Sequence, residues 1–204
     1  MKLLAILIGI LFLAFVVVQL FAINSQRTIE TSPYTVTKTY NSFEIRKYEA
    51  TLFASVNLTT KNYKKASREG FSILAGYIFG KNVTNEKIAM TAPVTMSLGD
   101  DMTMQFMAPK KYKKENLPEA LESKIQFRKE PARTVAALTF GGWANDAKIA
   151  RYKEQLTSAL NREGIAHTGR FYFLGYNPPY EVFQRKNEII VVLSKNALDP
   201  ISKK

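Results

Sequence analysis

The side chains that could carry metal or nucleophilic chemistry in this chain are few: one histidine, six methionines and no cysteine. Without a thiol there is no Cys–His nucleophile, no thiolate metal site and no disulfide. The single histidine, His167, stands in the segment Gly164-Ile-Ala-His-Thr-Gly169, which reads as a solvated turn. It has no serine elbow to serve, and one imidazole falls short of a zinc site. Met90, Met96, Met102, Met104 and Met107 could offer thioethers, but on strands methionine usually fills core gaps. Met90, in Met-Thr-Ala-Pro93, is expected to pack beneath its loop. Binding is therefore better supported than catalysis. The formal net charge of +12 favours an anionic ligand or an anionic lipid surface. Nucleic acid is not expected: there is no basic helix, no zinc spacing and no aromatic RNA-binding signature. The densest basic cluster, Lys110-Lys111 with Lys113-Lys114, reads as a solvated loop.

The elements that must position a ligand begin after an apolar segment. Leu3 to Ile23 is 21 residues with Gln19 as its one polar side chain, and about 20 residues of helix cross a hydrocarbon core. The run is longer than the apolar region of a signal peptide, and Phe21-Ala-Ile-Asn24 is a poor cleavage site. We expect residues 1–23 to form an uncleaved single-pass anchor, with a cleaved signal peptide as the alternative. Residues 24–33 read as a linker, 34–197 as one folded domain placed outside the cytoplasmic membrane, and 198–204 as a tail.

Within the domain the periodicity predicts strands over 36–40, 43–48, 52–58, 94–98 and 102–108, the last two split by the turn Gly99-Asp100-Asp101. Further strands are predicted over 124–129, 134–140, 171–176 and 188–194. Helices are predicted over 63–79, closed by Gly80, and over 146–160, capped by Asn145. An offset of 82 superposes the two halves, placing Arg46 on Arg128, Ala54 on Ala136 and the first helix on the second. The expected fold class is α+β: duplicated ββαββ halves forming a distorted antiparallel β-barrel flanked by two helices, plus the N-terminal transmembrane helix.

The two helices should match but do not. The second carries one apolar stripe of Ile149, Tyr152, Leu156, Ala159 and Leu160. In the first, Phe71, Ile73, Leu74, Ala75, Tyr77, Ile78 and Phe79 spread over more than half the circumference. One sheet cannot cover so wide a surface, which leaves two readings. Either the loops over 81–90 or 109–123 fold across the surplus, or it lines an apolar groove. The small residues Gly70, Ala75 and Gly76 are what a close approach would require.

The segment joining this helix to the next strand has distinctive wording: Tyr77-Ile-Phe-Gly-Lys-Asn82, a polar gap, then Lys87-Ile-Ala-Met-Thr-Ala-Pro-Val94. With Phe43-Glu-Ile-Arg-Lys-Tyr48, Phe140-Gly-Gly142, Asn177-Pro-Pro179 and Arg185…Asn187-Glu188, it resembles the SOUL haem-binding family over about residues 36 to 195. The resemblance implies a distorted barrel flanked by two helices and a non-covalent haem site along the first helix. It implies Arg68 as a propionate contact, Phe71, Leu74 and Ala75 as pocket lining, and Tyr180 and Glu181 on the loop closing the other side. Gly76 stands where a basic residue would help, and Glu181 is acidic where lysine can occur. No strong protein axial ligand to iron is expected. The implied function is a membrane-tethered carrier or buffer of haem, or of another flat, apolar, anionic molecule. The alternative is the related drug-binding effector fold, as a ligand-sensing domain or a small-molecule hydrolase with Glu181 as base and Tyr77 or Tyr180 as donor. A third reading is an interaction domain with a basic face.

Overall fold

A computed structural model describes residues 2–26, 29–99 and 101–197. The tail expected over 198–204, Arg27 and the Asp100 of the expected turn lie outside them. Helix α1 spans Lys2–Gln26, three residues beyond the expected anchor. The domain follows as β1 (Tyr34–Thr39), β2 (Glu44–Tyr48), β3 (Thr51–Leu58), α2 (Tyr63–Ile78), β4 (Val94–Ser97) and β5 (Met102–Met107). Its second part is β6 (Ile125–Glu130), β7 (Arg133–Gly141), α3 (Asp146–Arg162), β8 (His167–Gly175) and β9 (Lys186–Leu193). Every expected element is present. The largest difference is at β8, which begins at His167 rather than Phe171 and carries a register irregularity between those two residues. The expected turn at His167 is thus the bulged start of a strand.

The fold is α+β, built on one nine-stranded antiparallel sheet ordered β1-β2-β7-β9-β8-β4-β5-β3-β6. The sheet curls into a half-barrel, with β1 and β6 at its two ends. If β2 through β5 are exchanged with β6 through β9, the order from β2 to β6 reads the same. Each half lends its first strand to the other: β2 pairs β7 and β6 pairs β3.

Alternation along the strands sends one set of side chains to the helices and the other into the curl. Ile45, Val56, Met104, Ala136, Phe173, Ile189 and Val191 join Leu74 of α2 and Leu156 of α3 in the main core. On the other face Tyr48, Val135, Ala137, Tyr172, Leu174, Ile190 and Val192 form a second cluster. The helices start side by side. Asn62 Oδ1 accepts from Lys65 N and Asn145 Oδ1 from Lys148 N, at 2.9 and 2.8 Å. Asp146, the first residue of α3, also accepts from Tyr63 N at 2.7 Å. One carboxylate thereby serves the positive ends of both helix dipoles.

The end of the segment expected as a linker is tied to the domain. Glu30 accepts from Lys110 N and Ala92 N, and Ser32 Oγ donates to Met107 Sδ. Chain entry therefore docks beside the Thr91-Ala-Pro93 motif.

Candidate functional site

Three faces of α2 meet different neighbours. The first rests on the sheet. A Cβ at Gly70 would stand 2.9 Å from Met104 Cβ, so this glycine sets how closely α2 approaches β5. The second is covered by loops. Tyr77 is 2% exposed and donates to Pro118 O at 2.8 Å; burial pushes its phenol up to about 12. Val83 N donates to Glu119 O, and Tyr112 Oη to Glu86. Both loops named as covers at the sequence level thus close part of the surplus apolar surface. Tyr77, a candidate donor for hydrolysis, spends its hydroxyl on that closure.

The third face is open to solvent. Phe71 is 37% exposed, resting edge-on against Phe106, and Phe79 is 64% exposed. Arg68 is exposed one turn before Phe71. Leu74 and Ala75, the other expected lining residues, are 0% and 8% exposed and belong to the core. The helix ends in a reversal: Lys81 N donates to Gly76 O and Gly80 N to Tyr77 O, with Gly80 at φ +109. This folds Lys81 back until its Cδ lies 3.2 Å from where a Cβ at Gly76 would stand. The position that lacks a basic side chain in sequence is covered by one from the next turn. The approach that Gly70 and Gly76 permit is that of the protein's own Met104 and Lys81.

Tyr180 and Glu181 sit on the loop between β8 and β9. Tyr180 is 53% exposed, while Glu181 is 2% exposed. The loop is held by Arg185, which donates to Pro178 O, Glu181 O and Asn177 O and stacks its guanidinium 3.9 Å from the Trp143 ring centroid. Helix α1 holds it as well: Gln19 Nε2 donates to Tyr180 O and Gln19 Oε1 accepts from Val182 N.

The interior of the curl holds a polar network not anticipated from sequence. Glu188 is 0% exposed. It accepts from both terminal nitrogens of Arg46 at 2.9 and 3.1 Å, from Tyr176 Oη at 2.7 Å and from Thr139 Oγ1 at 3.1 Å. Burial alone would raise its carboxyl, but Arg46, Lys186 and Tyr176 outweigh burial and hold it below the usual range. Burial and the neighbouring Glu188 push the Tyr176 phenol far up, and push Tyr48 to about 12. A carboxylate so clamped is a poor proton acceptor at neutral pH. The strand expected over 43–48 is present as β2. Its polar face looks into the curl, where Arg46 is 3% exposed. Much of the distinctive wording meets here or on the adjoining loop. Gly142 N donates to Arg185 O, Asn187 Nδ2 to Gly142 O and Lys186 N to Asn177 Oδ1.

His167 Nδ1 accepts from Gly169 N at 3.2 Å, and the ring stands edge-on to Phe171. Met96, Met102, Met104 and Met107 are buried, and Met90 packs against the main core. A cavity of about 610 Å³ opens at the ends of β2, β7 and β9, rimmed by Lys47, Arg133, Arg170 and Lys195. It is lined by none of the site residues expected from the sequence.

The family model described as SOUL heme-binding protein matches residues 29–192. Heme-binding protein 1 of Bos taurus is 30% identical over 160 residues, covering 74% of this chain and 83% of the relative. Heme-binding protein 2 of Homo sapiens is 29% identical over 160 residues, covering 74% and 78%. Among solved structures, the EcmrR C-terminal domain superposes with a TM-score of 0.60 at 12% identity, covering 79% of this chain and 98% of that one. A hydrolase from Listeria innocua superposes at 0.51 with 10% identity, covering 78% and 94%. At such identities the likeness establishes the fold alone.

Proposed function

Because the chain belongs to the SOUL heme-binding protein family, we propose that it binds haem non-covalently on the solvent face of α2, as a membrane-tethered carrier or buffer. The observation that carries this reading is an exposed apolar strip bounded by cations: Phe71 and Phe79 lie open on the helix that also presents Arg68, with Lys81 folded over Gly76. Haem supplies a flat apolar ring, an iron and two carboxylates. Apolar side chains suit the ring, and a guanidinium or ammonium suits a carboxylate. Phe71, Phe79, Arg68 and Lys81 would hold it, with Ala75 as the floor between them. Leu74 acts from beneath, by supporting the helix. Tyr180 and Glu181 would bound the site from the β8–β9 loop. No protein axial ligand is assigned, since His167 Nδ1 is engaged by Gly169 N and most of the thioethers are core.

The anchor is α1, whose residues Lys2–Gln19 are long and apolar enough to cross a membrane. The tethered domain is read as extracytoplasmic. The two ββαββ halves are read as a duplication, supported by the exchangeable strand order and by Leu74 and Leu156 at equivalent, fully buried places.

The test is a haem titration of the full-length protein in detergent. A saturable Soret band that weakens in Arg68→Glu is expected. Weakening in Arg170→Glu instead would move the ligand to the basic cavity at the strand ends. No saturable band would overturn haem binding. Turnover of an ester or lactone panel that is lost in Glu181→Gln would replace the carrier with a hydrolase.

A further inference from the structure

Gln19 is the one polar side chain in the apolar run of α1, and an amide in hydrocarbon is costly unless both its ends are bonded. In this fold both are. Nε2 donates to Tyr180 O at 2.9 Å and Oε1 accepts from Val182 N at 3.0 Å, so the side chain clamps the β8–β9 loop as a neighbouring strand would. It is 4% exposed. Four residues earlier on the same helix, Phe15 meets Phe183 edge-on at 6.2 Å.

The loop so held is apolar outward. Tyr180, Val182 and Phe183 are 53%, 45% and 54% exposed, and Trp143, on the neighbouring β7–α3 turn, is 53% exposed. The two loops form one unit: Arg185 binds three carbonyls of the first, stacks on Trp143 of the second and accepts from Gly142 N. Tryptophan and tyrosine are what a membrane–water interface selects, and the valine and phenylalanine beside them add apolar area.

We propose that Trp143, Tyr180, Val182 and Phe183 form a membrane seat: a surface that enters the interfacial layer of the bilayer spanned by α1, held there by the Gln19 clamp. The inference rests on the reading of α1 as a membrane span. Depth supports the assignment. The window Lys2–Gln19 is 18 residues, about 27 Å of helix, close to the ~30 Å hydrocarbon core. Gln19 closes that window at its domain end, and the apolar run continues only to Ile23. The clamped loop therefore lies at, or just inside, the domain-side edge of the bilayer. The seat fixes which way the domain faces and brings Tyr180, a boundary of the proposed haem site, to the lipid surface.

The chain has one tryptophan, so Trp143 reports on the seat without labelling. Full-length protein is reconstituted into phosphatidylcholine–phosphatidylglycerol vesicles, with or without brominated acyl chains. Flotation after a high-salt wash tests the anchor. Trp143 emission then tests the seat: it should be blue-shifted, quenched by bromolipid and protected from aqueous acrylamide. Gln19→Leu keeps the helix apolar and removes the clamp. That variant should float equally but lose bromolipid quenching and gain acrylamide access. Loss of flotation in the parent overturns the anchor, and the seat with it. Flotation with Trp143 unquenched by bromolipid and open to acrylamide overturns the seat while the anchor stands. Equal quenching in parent and variant overturns the clamp.

Discussion

Helices α2 and α3 occupy equivalent places in the two halves, yet only one is an ordinary packing helix. At the offset of 82, Leu74 matches Leu156 and Ile78 matches Leu160, and all four are buried. The helices part company on the remaining faces. Phe71 matches Lys153, Ala75 matches Thr157, Phe79 matches Asn161 and Arg68 matches Ala150. Helix α3 is apolar where it meets the sheet and polar elsewhere, which is all that docking requires. Helix α2 repeats that stripe, adds a face closed by the 79–93 and 109–123 loops, and keeps aromatic side chains in water besides. Apolar surface left in solvent on one helix, and absent from the other, is what the proposed haem site would use.

The comparison breaks most readily at its shared part. Leu74→Ala and Leu156→Ala should each cost about 2–5 kcal/mol, since both leave a cavity under a fully buried position. Chemical denaturation that finds one of them nearly neutral would show that the two halves are not built alike.

Ala75→Glu against Thr157→Glu comes next. Ala75 is 8% exposed and packed in the core, so a carboxylate there should cost roughly 1–3 kcal/mol. Thr157 is only half-buried, and its substitution should stay under about 1 kcal/mol. Equal melting temperatures for the two would mean that Ala75 borders open space.

Phe71→Ser sharpens the functional half of the contrast. With Phe71 37% exposed, it should cost less than about 1.5 kcal/mol while weakening haem binding severalfold in the Soret titration. Lys153→Ser should leave haem binding unchanged. If both leave it unchanged, the exposed strip on α2 is not the haem surface.

The smallest effect on stability is expected for Arg68→Glu, within about 0.5 kcal/mol as for other exposed substitutions. Removing one carboxylate partner and adding a like charge should lower haem affinity by about tenfold, or ~1.4 kcal/mol. His167→Ala should change neither affinity nor Soret position, and a blue shift with loss of affinity would place an imidazole on the iron.

What was legible in the sequence was local. The Asn145 N-cap, the Gly80 stop, the single stripe of α3 and the width of the apolar surface on α2 depend on residues a few positions apart, and all appear in the fold. Even the order of strands and helices follows from period and turn residues. The outcome of the competition for the surplus face of α2 was not legible. It turns on where Pro118 and Lys81 come to rest, and a loop's path is set by contacts rather than by periodicity. The same reason hid Arg46 and Glu188. An arginine on the polar side of an alternating strand faces water in a flat one-sided sheet but faces the interior when the sheet curls. The carboxylate that makes its burial tolerable stands 142 residues away. Gln19 is the plainest case. Composition marks it as the odd residue in an apolar helix, but only the docking of that helix on the β8–β9 loop gives its amide two partners and the loop a fixed place.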